Sequence, residues 1–161
     1  MIPSDAPRHP PVASIEDTLT FKIARFAAIN ARDGTVIFRD GFDLTLNEWR
    51  VLGLVAAHAP LGLNRLTELV LMDKGQLSRT VQALVTRGKL VSQVGAADAR
   101  KVELSLSEKG AALHAKVLEF ARARNEEVLE VLSVAEAKQF IALLDRLLVH
   151  NTALVRNNGN L

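Results

Sequence analysis

Four times along these 161 residues, a side chain able to cap a helix stands three positions ahead of an acid or amide that can reach back to it. The pairs are Ser14 with Asp17, Thr45 with Glu48, Asp73 with Gln76, and Ser133 with Glu136. Each pair can satisfy backbone N–H groups that a helix start leaves without an intrahelical partner. Four helix starts are thereby marked, and the chain must be built mainly from helices. At Thr45 the flanking Leu44 and Trp49 also have the spacing of a hydrophobic staple, which fixes how the chain enters that helix.

Apolar spacing fills in the elements. Ile15, Leu19, Ile23 and Phe26 follow the helical period and predict a first helix to about residue 31, broken by "ARDGTVIFRDGFD". A second runs from Thr45 to about residue 57 and stops before "HAPLG", where Pro60 and Gly62 punctuate. "NRLTELVL" predicts a short third helix, and Asp73 caps a fourth that ends in "TRGKL", where Gly88 supplies the stop. Two β-compatible runs follow, "LVSQV" and "KVELSLS", on either side of a loop of small residues; helices return over 108–132 and from 134 to about 155. The expected fold is mainly α with one small β-hairpin. In the last helix Phe140, Leu144, Leu147 and Leu154 form a heptad-like seam, widened by Ile141, Leu148 and Val155. Two readings of that seam stand: packing in the chain's own core, or a subunit interface built with the first helix. In the second, Asn151 within the seam would help fix register.

Composition excludes several classes. Apolar content of 48% and charged content of 24% are globular values, and the length suits one folding unit. No apolar run approaches the roughly 20 residues that a spanning helix needs. The opening "MIPSDAPRHPPVAS" reads as an extended tail without the apolar stretch of a signal peptide, so a cytoplasmic location and no membrane partner are expected. Absence of cysteine removes disulfides, thiolate metal sites and cysteine nucleophiles together. His9, His58, His114 and His150 show no metal-ligand spacing, and the chain lacks GxSxG, GxxxxGK[ST] and GxGxxG. No catalytic or metal site is expected, and the protein is read as not an enzyme.

The net charge of +2 becomes informative once it is located. Residues 73–101 hold six Lys/Arg against two Asp/Glu, while the segments on either side each carry one more acid than base. A solvated basic face and a footprint for phosphates both fit such a stretch. On the helix capped by Asp73, Leu77, Val81, Leu84 and Val85 share one side, and Gly75, Gln76, Arg79, Gln82, Ala83 and Thr86 the other. Arginine can read guanine bidentately and glutamine can read adenine, and the helix N-terminus offers N–H groups to a phosphate. The hairpin comes directly after. Helix, turn, helix, strand, loop, strand is the order of a winged helix-turn-helix. Its loop "GAADAR" is slender enough for a minor groove, where Arg100 suits the negative potential and Lys101 stands beside it. Asp98 would accept hydrogen bonds from loop N–H groups or from Arg100, holding the wing in shape.

"DKGQLSRTVQALVTRGKLV", a short strand, and then "DARKVELSLSEKG" resemble the MarR family of bacterial transcriptional regulators, over about residues 15–155. The likeness rests on "LSR" at Leu77, Ser78 and Arg79, on the "RGKLV" exit, and on the D-x-R of the wing running into "LSLSEKG". Ser107 stands where the family more often has Thr, and few charges precede Asp98. The resemblance implies a homodimer, with dimerisation helices at about 15–31 and 108–155, a winged domain at about 45–107, and tails at 1–14 and 156–161. It also implies a pseudo-palindromic duplex DNA operator and, for many members, repression relieved by a small aromatic or phenolic effector, with no other cofactor. The DNA-contacting residues would be Gln76, Ser78, Arg79 and Gln82 on the recognition helix and Asp98, Arg100 and Lys101 in the wing. A second class stays open: a winged-helix ligand-sensing or protein-interaction module without operator binding. A flat salt dependence would mark it, because phosphate contacts impose a steep one.

Overall fold

The structure is a computed structural model that describes residues 9–70, 72–94 and 102–157, without the side chains of 33, 156 and 157. A 3-10 turn at Ile15–Asp17 leads into α1 (Leu19–Phe42), followed by α2 (Leu46–His58), β1 (Leu61–Gly62), α3 (Leu63–Val70) and α4 (Lys74–Thr86). The strands β2 (Leu90–Val94) and β3 (Val102–Leu106) come next, then α5 (Glu108–Leu129) and α6 (Val134–Asn157). This is the mainly helical chain with a small sheet that the spacing predicts. The chain divides into two compact units, Met1–His114 and Ala115–Leu161, where length alone predicts one. Among the described residues no helix is long and apolar enough to cross a membrane.

Two helix starts form the predicted reciprocal box in full. Thr45 accepts from the Glu48 N–H at 3.1 Å while Glu48 accepts from the Thr45 N–H at 2.7 Å. Ser133 and Glu136 do the same at 3.3 and 2.8 Å. The other two differ. Asp17 accepts from the Ser14 N–H at 2.8 Å but closes only the 3-10 turn, and Thr18 is the residue that caps α1. Asp73 accepts from the Gln76 N–H at 2.8 Å, and that bond is the one-sided cap of α4.

The first helix corrects its predicted end near residue 31. It continues through Gly34 and Gly41 to Phe42 and stops at Asp43, whose φ of 50° is left-handed. Tertiary packing outweighs the weak propensity of "ARDG" here. Phe38 is buried and stacks on Trp49 of α2 with ring centroids 6.0 Å apart. At Gly34 a Cβ would touch Leu46 at 3.4 Å, so the two helices meet closely.

The core of the first unit gathers Leu44, Val51, Leu52, Val55, Leu66, Leu77 and Leu84, each nearly or fully excluded from water. These are the inward positions of α2, α3 and α4 together with the residue before the Thr45 cap. The sheet has the order β1-β3-β2, all antiparallel. Beyond the predicted hairpin it includes β1, which lies in the segment read from sequence as pure punctuation. Leu104 is the middle of this sheet, facing Leu61 on one side and Ser92 on the other, and is 1% exposed.

Of the predicted seam on α6, Leu144 is half-buried. Phe140, Ile141, Leu147, Leu148, Leu154 and Val155 are all exposed, as are Leu19, Ile23, Phe26 and Ile29 along one stripe of α1. Asn151 donates its side-chain amide to the Leu147 carbonyl of its own helix at 2.8 Å.

The turn after α4 and the start of α5 interlock. Gly88 adopts a φ of 66°, a conformation in which other residues are strained. Its carbonyl accepts from Ser107 Oγ at 2.6 Å, and Ser107 Oγ in turn accepts from the Gly110 N–H at 2.9 Å. A Cβ at Gly110 would lie 1.9 Å from the Lys89 carbonyl oxygen. The "RGKL" and "SEKG" motifs therefore face each other as one backbone junction. Gly110→Ala is expected to lower stability by about 1–3 kcal/mol, the usual scale of overpacking. Gly41→Ala, with no atom within 4 Å of the added Cβ, should raise it by about 0.5–1 kcal/mol through helix propensity. Thermal or denaturant melts of the two variants check both signs.

Candidate nucleic-acid interface

The amphipathic pattern of α4 orients it as predicted. Leu77 and Leu84 are buried, while Gly75, Ser78, Arg79, Gln82 and Thr86 are exposed. Gln76 and Ala83, expected on the open side, are half-buried at its margin. Of the four predicted reading residues, Ser78, Arg79 and Gln82 thus share one open face, with Gln76 at its edge. The amide of Gln82 reaches Thr86 Oγ1 one turn on at 3.5 Å. Among the described residues Lys74 and Arg79 are the cations that this helix presents to solvent. Asp98, Arg100 and Lys101 lie outside the described residues.

Both other cations of the 73–101 stretch that the structure describes, Arg87 and Lys89, are bound internally. Arg87 directs one guanidinium nitrogen to Glu48 Oε1 at 2.7 Å and another to both the carbonyl and the carboxylate of Asp43. Lys89, only 4% exposed, donates to the same carbonyl at 2.9 Å. Glu48 has one carboxylate oxygen on the cap of α2 and the other on Arg87. One side chain therefore ties the start of α2 to the end of α4. Sequence reasoning marked Glu48 only as a capping residue, and Asp43 not at all. Partial burial works against the charge on Arg87, but the two carboxylates outweigh it and hold its pKa above the usual arginine value. Burial and the neighbouring Arg87 push the Lys89 ammonium down. The Arg87 hydrogen bond, with the charges of Arg87 and Lys89, holds the Asp43 carboxyl below its ordinary range.

On the other side of α2, Trp49 stacks against His114 of α5, ring centroids 5.5 Å apart. Burial pushes the His114 imidazole below its ordinary pKa. Trp49, Arg50, Gly53, Leu54, Leu69 and Val70 line an open cleft of about 430 Å³ between α2 and the end of α3. Apart from Arg50, whose guanidinium donates to Asn47 Oδ1 at 3.3 Å, these lining residues are apolar. Among the described residues there is no group of three His, Asp or Glu that could hold a metal ion.

The Asp43 pairing sets an acid limit on stability. A carboxyl whose folded pKa is depressed stabilises the fold above its unfolded pKa of about 3.9 and loses that contribution as pH falls through the lower folded value. Wild type should therefore lose more stability than Asp43→Asn as pH drops below about 4. Asparagine tolerates the left-handed backbone at this position, so the comparison isolates the charge. Melting temperatures across the acid range measure it, and parallel curves would exclude Asp43 as an acid-sensitive tie.

The MarR family model matches residues 42–101, the segment that holds α2, β1, α3, α4 and β2. No curated protein matches the chain by sequence. Among solved structures, a probable transcriptional regulator from Pseudomonas aeruginosa is 28% identical with a TM-score of 0.70, covering 83% of this chain and 99% of that one. A MarR protein from Peptoclostridium difficile shares the fold at 13% identity and a TM-score of 0.78, covering 92% and 96%. Bordetella bronchiseptica BpsR, whose DNA binding is regulated by 6-hydroxynicotinic acid, matches at 22% identity and a TM-score of 0.64 over 78% and 98%. The buried face of α4 and its tie to α2 fall within the matched segment, and over that segment the chain is similar to the MarR family.

Proposed function

We propose that this protein is a sequence-specific, double-stranded DNA-binding transcriptional regulator that acts as a homodimer and responds to a small effector. The observation that carries the reading is the open face of α4. It presents Ser78, Arg79 and Gln82 together, bordered by Gln76, on a helix whose opposite face is locked into the core. Such a helix fits the major groove, and its side chains are of the kinds that read base edges. The β2–β3 connection carries Asp98, Arg100 and Lys101, with Arg100 reaching a flanking minor groove and Asp98 bracing it. Phosphate contacts come from Lys74 and the N–H groups at the start of α4.

Dimerisation uses the exposed apolar stripes of α1 and α6. Side chains such as Phe26, Phe140 and Leu148 are half or more exposed in the single chain, and apolar rows of this extent mark an interaction surface. A dimer places two α4 helices on a pseudo-palindromic operator. The effector is a small aromatic or phenolic acid. Supporting it are the largely apolar cleft lined by Trp49 and Arg50, and the regulation of BpsR by 6-hydroxynicotinic acid. The end of α3 forms one wall of that cleft and leads directly to the Asp73 cap of α4, so occupancy can alter how the reading helix is held.

Arg79→Ala should reduce discrimination between the preferred and a mismatched base pair by about 1–3 kcal/mol while leaving non-specific duplex binding nearly unchanged. Competition gel shifts or fluorescence anisotropy measure this, and unchanged discrimination would remove Arg79 from the reading role. Aromatic acids that raise the melting temperature of wild type should do so less for Arg50→Ala; equal shifts would place the effector elsewhere. A protein that binds no duplex yet still responds to such acids would be a ligand-sensing module on the same fold.

A further inference from the structure

We propose that His114 is a positioning residue for the effector cleft, holding Trp49 as a fixed aromatic wall against which a planar ring is bound. The inference rests on the effector reading proposed above. Among the residues that line the cleft, Trp49 is the aromatic one. It is half-buried on α2. An indole at such a site turns about its side-chain torsions unless contacts stop it, so the wall is only as well defined as what the ring rests on.

Two rings stop it, each from a different helix. Phe38 of α1 stacks on the indole with centroids 6.0 Å apart and planes at 29°. His114 of α5 stacks on it more closely, at 5.5 Å and 28°. Both separations lie where aromatic pairs attract beyond simple burial. A Cβ at Gly53 would stand 3.9 Å from Trp49 Cη2, so the far edge of the indole reaches the next turn of α2, beside a residue that also lines the cleft. His114 is itself well placed to act as a support. It follows Gly110 by one turn, and the close approach of Gly110 to the Lys89 carbonyl pins the start of α5 to the turn after α4. Burial pushes its pKa below the ordinary value, so at neutral pH the imidazole is uncharged and packs on the indole as a neutral ring. Among the described residues it forms no hydrogen bond, and the stack is what the ring supplies. Phe38 is 7% exposed and belongs to the core, whereas the half-buried His114 supports Trp49 from the margin. His114 does not line the cleft, so it acts on an occupant only through Trp49. A wall held in place beforehand spares the cost of ordering it when the ligand arrives.

The test titrates 6-hydroxynicotinic acid and the monohydroxybenzoic acids into the full chain by calorimetry. The proteins are wild type, His114→Leu, His114→Phe, Trp49→Leu and the double variant His114→Leu with Trp49→Leu, with Arg50→Ala as the control for the cleft. Leucine fills position 114 without a ring and phenylalanine restores one; His114→Met is a second ringless variant should leucine not be accommodated. Melting curves fix the range in which each protein is folded. Trp49 is the only tryptophan, so its emission reports the stack. His114→Leu should shift that emission to the red as the indole gains access to water, and His114→Phe should not. His114→Leu should bind the tightest of the acids about fivefold more weakly than wild type, within the range that one aromatic pair supplies, while His114→Phe binds as wild type does. The double variant should match Trp49→Leu alone, because a residue acting only through another adds nothing once that other is gone. Emission or affinity of His114→Leu equal to wild type, an equal loss in His114→Phe, or a further loss in the double variant would each overturn the role of His114 while leaving the cleft in place. No binding of any of these acids by wild type, or binding unaffected by Arg50→Ala, would overturn the effector reading and this inference with it.

Discussion

The carboxylate of Glu48 holds the winged unit in register. One oxygen closes the first turn of α2 and the other takes the guanidinium of Arg87, 39 residues further on, at the exit of α4. Asp43, at the left-handed residue that ends α1, takes the other side of the same guanidinium, and Lys89 closes over the Asp43 carbonyl. The joint thus brings together the end of α1, the start of α2, the end of α4 and the entry to β2. Within this cluster the Glu48 carboxylate is buried, whereas the Asp43 carboxylate stands open to water, so the Glu48–Arg87 pair is the less screened of the two ties. Glu48 is 7% exposed and cannot recover hydration without the structure opening.

That joint changes what the basic stretch is for. Counted along the chain, residues 73–101 look like a run of cations facing a polyanion. In the fold, Arg87 and Lys89 face carboxylates and a carbonyl, and Lys109 completes the turn by donating to the Arg87 carbonyl at 3.3 Å. The positive charge that α4 leaves open to solvent is Lys74 and Arg79. A small number of cations on a rigidly held helix favours discrimination over sheer affinity, because phosphate contacts position and base contacts specify.

Local signals were legible in the sequence and distant ones were not. The Thr45–Glu48 and Ser133–Glu136 boxes are written within four residues of chain and form as expected. The buried and open faces of α4 follow from its period. The end of α1 was not legible, because "ARDG" reads as a break and only the stack of Phe38 on Trp49 reveals why the helix continues. Nor was β1, which is two residues long and depends on Leu104 for its pairing. The double duty of Glu48 was hidden for a related reason: nothing near it in the sequence points to Arg87. Arg87, Gly88, Ser107 and Gly110 were recognisable as motif residues, yet their shared work, a backbone junction between the end of α4 and the start of α5, appears only in three dimensions.

The proposed reading of duplex DNA by α4, with Arg87 engaged inside the fold, has a distinctive electrostatic signature. The most direct measurement is the salt dependence of duplex binding by wild type and the charge-removing variant Arg87→Gln, compared at a temperature where both are folded. Each phosphate contact contributes a slope of about −0.9 in log K against log salt. The account predicts a steep slope of equal size in the two proteins. A flat slope in wild type, or a slope shallower by about one contact in the Arg87 variant, would contradict it.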